Sequence, residues 1–547
     1  MIAINEKYFA LPMKNSVQFI LSLVFLSVFN WLYAQVAPAI EWQKCLGGIG
    51  MEEAFSIRQT MDGGYIVAGY STSSDGDVLV HYGCSYCDDY WIVKVDDTGN
   101  IVWRKTLGGS NGEHAWSVQP TIDGGYIVAG FSGSNDVDVT DNHGGEDYWI
   151  VKLDTVGDLV WQKSFGGEWT EQAFCIQQTN DDGFIIAGYT NSIDGFFSGN
   201  HGLHDYYILK LDPNGNLIWQ KLYGGSGYDH ARSIEQTTDG GFVIAGWSES
   251  NNGDVSGNHG SRDAWIIKTD SNGLIIWQKC FGGSSFDWAN SVQQTSDGGY
   301  IVAGVSDSQN GDVSGNHGIY DYWILKLDMN GNLTWQKSLG GEGDDQAYST
   351  QQTYDGGYII AGWADSKSGD VSGNHDTTSD AYSDVWLVKL DESGNLQWQK
   401  CYGGSLYEGA FSIQQTSDSG YILAGETYSS DGDVSGYHSD SSSFLPDYWI
   451  VKLLPDTTTG IASILNHFVS LYPNPVQSRL TITLTAPTNQ TRIQVYDVQG
   501  RMMLLPISFQ NDEAQLQTDN LPDGFYTLII TDKKTGRTEV EKFVKQK

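Results

Sequence analysis

"WQKCFGGSSFDWANSVQQTSDGGYIVAGVSDSQNGDVSGNHGIYDYWILKLDMNGNLT" (residues 277–334) is one copy of a unit that recurs along this 547-residue chain. Near-copies open at Trp42, Trp103, Trp161, Trp219, Trp277, Trp335 and Trp398, at spacings of 61, 58, 58, 58, 58 and 63 residues. Self-similarity at such a period marks a repeat architecture. Within the unit, "ANSVQQT" alternates, "YIVAGV" is an apolar run, "DYWILKLD" is aromatic and β-branched, and "NLTWQK" completes a set of four strand signals. "SDGG" and "DMNGN" join the first to the second and the third to the fourth; both are tight-turn sequences, because Gly and Asn accept positive φ. The other connections, "CFGGSSFDW" and the sixteen residues Val305 to Tyr320, are long.

A four-stranded sheet cannot bury both of its faces alone. Seven of them stacked radially do so, and the stack closes into a β-propeller. Small residues should then recur on the innermost strand, where the axis is crowded. They do, as Ala54/Ser56, Ala115/Ser117, Ala231/Ser233, Ala289/Ser291, Ala347/Ser349 and Ala410/Ser412, with Ala173/Cys175 as the variant. The array starts with a lone "EWQK" and ends after "DYWIVKLL" (447–454), so the first strand is expected to complete the last blade. A superhelical solenoid of the same units is the alternative. The "GG…GGYIVAG…YW" pattern over residues 40–454 resembles kelch-like and related bacterial propeller repeats, and that resemblance implies a fold only.

Composition narrows the function. Lys and Arg number 30 against 67 Asp and Glu, a formal charge of −37, which repels phosphate backbones and argues against nucleic acid as a partner. The apolar run "SVQFILSLVFLSVFN" (16–30), preceded by Lys14, reads as an export signal cut after Ala34, making residues 1–34 a signal peptide. No later stretch is long and apolar enough to span a bilayer, so the mature chain is expected to be exported, soluble and monomeric. Of six cysteines, Cys45, Cys280 and Cys401 share one strand position and read as buried small residues. Cys84 and Cys87 ("CSYC") suit a local disulfide better than a zinc site, which needs a second pair.

After a polar linker (455–467), residues 468–547 carry "LYPNP" (471–475), "VYDVQGR" (495–501), "LPDGFYTLII" (521–530) and "EKFVK" (541–545). In this order the motifs resemble the C-terminal sorting domain of Bacteroidetes proteins exported by the type IX secretion system. The resemblance rests on Tyr472, Pro473, Asn474, Pro475, Asp497, Gly500, Arg501, Gly524, Tyr526, Lys542, Phe543, Val544 and Lys545. It implies a small Ig-like β-sandwich, engagement of the secretion machinery, passage across the outer membrane, and removal of the domain at the cell surface. A plain β-sandwich binding module is the alternative.

The long connections should emerge together on one face of the propeller. Each unit places a histidine there (His81, His143, His201, His259, His317, His375 and His438). Each also places an acid two residues before the inner-strand Ala: Glu52, Glu113, Glu171, Asp229, Asp287, Asp345 and Glu408. The acidic ring is a candidate ligand surface, and Ca²⁺ is a possible guest because hard cations prefer oxygen ligands. Asp254 with His259, Asp312 with His317, and Asp370 with His375 are weaker metal candidates. The competing reading is structural, since glycine-rich loops use Asp, Asn and His side chains to satisfy their own backbone. Trp116, Trp169, Trp247, Trp288 and Trp363 lie in or beside the same face, where flat aromatics suit sugar rings or a protein partner. Burial between blades is the competing explanation. The expectation is a non-catalytic binding or adhesion module for a glycan or protein, without a resident cofactor. A polysaccharide-acting enzyme using carboxylates of the long-loop face is the alternative.

Overall fold

The computed structural model describes residues 35–458, apart from 85, 195–196, 198, 378–381 and 439–443. It also describes residues 469–472, 476–484, 491–497, 502–503, 505–510, 513–522, 524–532 and 538–545. The signal peptide with Ala34, most of the linker, and Pro473, Asn474, Pro475, Gly500 and Arg501 lie outside the described residues. The chain forms two units, Ala34–Thr457 and one that includes Thr458–Lys547. No helix among the described residues is long and apolar enough to cross a membrane.

The larger unit contains seven four-stranded antiparallel sheets. Blade five shows the plan: Asp287–Gln294 innermost, then Tyr300–Ser306, Asp321–Leu327 and, outermost, Leu333–Leu339. The two middle strands are buried along their whole length, which is why they read as continuous apolar runs. In blade seven the outer strand is Ile40–Leu46 from the other end of the repeat array, paired with Asp447–Leu453 in the register Ile40↔Leu453 and Cys45↔Trp449. Trp449 Nε1 donates to Gln43 Oε1 at 2.9 Å across the join.

Closure is visible in three sets of contacts. Seven apolar clusters each bridge two neighbouring blades, and one of them joins Ile57, Val67 and Val93 of blade one to Ile422, Ala424 and Ile450 of blade seven. The inner-strand serines form a belt. Ser56 Oγ accepts from Val118 N, Ser117 from Ile176 N, Ser233 from Val292 N, Ser291 from Thr350 N and Ser349 from Ile413 N. Ser412 accepts from Ile57 N at 3.2 Å and completes the circuit. At the variant position, Cys175 Sγ donates instead to Ile234 O. In five blades a third-strand tyrosine also ties the blade to the next; Tyr448 Oη donates to Trp91 O, 357 residues away. A solenoid has no such return contacts.

The lysine of each "DYWILKL" strand is buried and reaches the aspartate of the "DGG" turn, as in Lys94–Asp62, Lys268–Asp239 and Lys452–Asp418. Cys84 and Cys87 form a disulfide, while Cys45, Cys280 and Cys401 are free and buried.

The smaller unit consists of two four-stranded antiparallel sheets over one core. Val469–Tyr472, Arg479–Leu484, Glu513–Gln517 and Ile507–Gln510 form one sheet; Met502–Met503, Thr491–Asp497, Gly524–Asp532 and Thr538–Lys545 form the other. Leu480 and Ile482 of the first meet Val495, Leu528 and Ile530 of the second. Tyr526 stacks on Phe543 at 5.4 Å and its hydroxyl donates to Pro522 O. In the backbone register, Asp497 stands opposite Tyr526, Thr527 opposite Lys542, and Gly524 opposite Lys545, so three of the motifs meet in one sheet.

Candidate functional site

The repeated "GNH" closes the long loop. In blade four, Asn258 Nδ2 donates to Ser248 O at the end of the second strand. His259 meets Asp263 at the head of the third strand twice, through its backbone N at 2.9 Å and through Nδ1 at 2.6 Å. The same histidine–aspartate pair recurs at His143–Asp147, His201–Asp205, His317–Asp321, His375–Asp384 and His438–Asp447, and as His81–Asp89 in blade one. These aspartates are fully buried. The loop "GD" has a local task as well: Asp254, Asp312 and Asp370 donate through their backbone N to the carbonyls of Gly224, Gly282 and Gly340. Among the described residues, no cluster of three or more His, Cys, Asp or Glu side chains is arranged to hold a metal ion.

The acidic ring faces inward. Glu52, Glu113, Glu171, Asp229, Asp287, Asp345 and Glu408 are all 0% exposed. Each accepts from the second backbone N of the Gly-Gly crossover at 2.7–2.9 Å; Glu52, for example, accepts from Gly48 N and from Ser71 Oγ. As candidate ligand contacts these seven carboxylates are therefore corrected: they hold the crossovers and present no oxygen to solvent.

Burial raises the pKa of every member of the ring, Asp345 and Glu408 to about 7. Burial also raises Asp384 to about 6 and Asp89 to about 8. The folded chain thus holds protons that the unfolded chain has released between about pH 4 and 7, and stability falls as pH rises through that window. The turn aspartates go the other way. Burial opposes ionisation, but hydrogen bonds and the nearby lysines prevail and hold Asp239 and Asp297 at about 2, a contribution lost only below the ordinary carboxylate range. The expected melting profile peaks near pH 4 and declines toward pH 8. Calorimetric scans from pH 3 to 9 check this; a melting temperature that climbs from pH 5 to 8 contradicts it.

A candidate surface arises from a different position. In all seven inner strands the pairing slips by one residue between the Ala and the Ser, for example Ala54↔Gly69 followed by Ser56↔Ala68. Such a bulge re-aims the extra side chain. The seven bulge residues are Phe55, Trp116, Phe174, Arg232, Asn290, Tyr348 and Phe411, and all line one cavity of about 410 Å³ on the axis. Five form an unbroken arc of rings: Tyr348–Phe411 at 5.1 Å, Phe411–Phe55 at 5.1 Å, Phe55–Trp116 at 4.0 Å and Trp116–Phe174 at 5.3 Å. The Arg232 guanidinium lies 4.1 Å over Phe174, and Asn290 Nδ2 donates to Ala347 O. Trp247, Arg262, Trp288 and Gln346 complete the lining.

A second axial chamber of about 360 Å³ is lined by the residues that follow the belt, including Arg58, Gln119, Gln177, Glu235, Gln293, Gln351 and Gln414. At five junctions the Gln or Glu here accepts the backbone N–H of the next blade, as Gln414 Oε1 does from Gln59 N. Blade one has Arg58, which cannot accept, and it faces blade two's Pro120, which has no N–H to donate. Arg58 instead donates to Ile57 O and Ser412 Oγ.

Of the five tryptophans singled out in the sequence, Trp116, Trp247 and Trp288 line the axial pocket, with Trp247 buried beneath Arg262 at 3.7 Å. Trp363 lies apart, with Tyr407, Tyr428, Asp344 and Glu426 in a larger crevice of about 830 Å³ between blades six and seven; Gly409 is also part of its lining. Trp169 is 55% exposed in a crossover and joins neither. The sequence reading missed the other six bulge residues. Their signal was the one variable letter inside the otherwise constant "A-x-S".

Residues 470–546 match the family of secretion system C-terminal sorting domains. A 230-residue stretch is 22% identical to the regulatory protein FlaEY of Caulobacter vibrioides, covering 38% of this chain and 24% of that protein, so the chain spans about a quarter of the relative it matches. Among solved structures, PorZ, a surface component of the type-IX secretion system of Porphyromonas gingivalis, aligns over 93% of this chain and 75% of its own, at 12% identity and a TM-score of 0.26. Sqt1 from Chaetomium thermophilum aligns over 71% of this chain and 97% of its own, at 9% identity and a TM-score of 0.37. The WD40 domain of Neurospora crassa Pan2 aligns over 58% and 91%, at 11% identity and a TM-score of 0.31. The C-terminal residues 470–546 belong to the sorting domains of type IX secretion, and the chain is a β-propeller destined for the cell surface or the extracellular space.

Proposed function

We propose that the propeller is a non-catalytic binding module whose ligand enters the axial pocket and stacks on its arc of aromatic rings. The observation that carries this reading is the chemistry of the lining: aromatic, amide and guanidinium side chains, with no carboxylate, histidine, serine or cysteine among them. Flat faces of this kind suit sugar rings, and the lining itself holds no carboxylate acid–base pair. Replacing Trp116 by alanine is expected to weaken glycan binding by about 10- to 100-fold, the usual cost of a central aromatic anchor. Trp169→Ala, outside the pocket, should leave it unchanged. Glycan arrays followed by titration calorimetry on the purified protein decide it. Equal losses in the two variants, or none in either, count against the pocket.

A second reading, action on a polysaccharide, has one observation in its favour. The crevice between blades six and seven sets Asp344 and Glu426 beside Trp363, Tyr407 and Tyr428. Burial raises Asp344 to about 6, and burial with the nearby Glu53 raises Glu426 to about 8. New reducing ends released from a bound polysaccharide would transfer the function to that crevice.

A further inference from the structure

We infer that the ligand of the axial pocket carries a carboxylate, received by Arg232, and that its class is an acidic sugar such as a uronate within an extracellular polysaccharide. This rests on reading the pocket as a ligand site. The first observation is a charge inversion. Acidic residues outnumber basic ones 67 to 30 along the chain, yet the pocket lining holds two arginines and no carboxylate.

The two arginines are not equivalent. Arg262 is already engaged, with Nη2 2.7 Å from Glu249 Oε1 and its guanidinium flat on Trp247. Arg232 makes no ion pair or hydrogen bond among the described residues, and its Nε is buried without a partner. Withdrawing a cation from water without a counter-ion is costly, and neighbouring Arg262 adds like-charge repulsion. Burial and the charge of Arg232 both lower the pKa of His230, so this neighbour adds no counter-charge. A guanidinium left in this state is completed by a bidentate carboxylate, whose two oxygens match its planar fork.

The neighbours favour a sugar over a peptide carboxylate. On one side of Arg232, Phe174 lies under its guanidinium and Trp116 meets Phe174 edge-to-face, so the aromatic arc begins beside the charge. On the other, Asn290 uses its Nδ2 on Ala347 O, and its Oδ1 makes no hydrogen bond among the described residues, leaving an acceptor for a hydroxyl. An aromatic arc, a hydroxyl acceptor and a carboxylate receptor side by side match the ring face, hydroxyls and carboxylate of a uronate.

The test is calorimetric titration of the full chain with oligogalacturonate, alginate oligomers and sialyllactose, each against its methyl ester. At least one acid is expected to bind about 10- to 100-fold more tightly than its ester, as a charged hydrogen-bonded pair does. Arg232→Gln should bring acid and ester affinities to within about twofold of each other, whatever the ester's own affinity becomes, and Arg232→Lys should keep part of the difference. The acid–ester comparison on the unaltered protein stands even if the variants fail to fold. Equal binding of acid and ester overturns the carboxylate while leaving the pocket as a glycan site. Failure of every sugar to bind overturns both. Displacement of a bound acid by a short peptide with a free C-terminal carboxylate, at lower concentration than by the sugars, overturns the sugar class.

Discussion

Gly130→Ala is expected to destabilise the propeller by about 3 kcal/mol or more, the upper range for overpacking a core site. Gly130 is the glycine of the second-strand "AG" in blade two, directly across from Ala115. The bulge at Ala115/Ser117 pulls the inner strand over it, so an added Cβ would stand 1.8 Å from His114 O and 2.6 Å from Tyr90 Oη. The first obstacle is backbone, fixed in a ladder between buried strands, and it has nowhere to move. Gly240 offers the contrast. It sits in a turn at φ +83°, where an added methyl would meet nothing within 4 Å, so alanine there pays only for the left-handed conformation, about 1 kcal/mol. Paired melting curves of the two variants test this. A Gly130→Ala protein no less stable than Gly240→Ala would mean that the bulge relaxes freely.

Removing residues 35–46 is expected to abolish cooperative unfolding altogether. The lost strand Ile40–Leu46 is the outer strand of blade seven, and its absence bares the edge of Asp447–Leu453, a strand buried along its entire length. Cys45 belongs to the cluster between blades six and seven, and Leu46 to the cluster between seven and one. One deletion therefore damages two of the seven inter-blade cores at the seam that joins the ends of the array. In an open array, loss of a terminal strand costs only its nearest neighbours. In a ring it removes the latch. Circular dichroism melts and size-exclusion chromatography give the answer; a cooperative transition within a few degrees of the intact chain would contradict the latch.

Much of the fold was legible in the residues. The tryptophan spacing, the paired tight turns, the small inner-strand residues and the orphan first strand all pointed to a ring closed by its own N-terminal strand. The site was legible only in part. The acidic ring read as surface because carboxylates beside long loops usually are, but Gly-Gly crossovers have backbone amides that need acceptors, and Glu52 and its counterparts turn inward to supply them. The buried Lys94–Asp62 type of pair was hidden because the lysine and the turn are far apart in sequence and meet only once the strands are in register. Phe55, Phe174 and Arg232 went unnoticed for a related reason. A regular strand would alternate them predictably, whereas the bulge inserts an extra residue that no hydrophobic pattern announces.

Arg58 and Pro120 set blades one and two apart from the rest. Shuffle the units so that another follows blade one, and a main-chain amide is left confronting a guanidinium with no acceptor, at a cost of about 1–3 kcal/mol. One junction of the near-identical modules is thus keyed: blade two is the neighbour that suits blade one, and a look-alike docked there in its place is penalised.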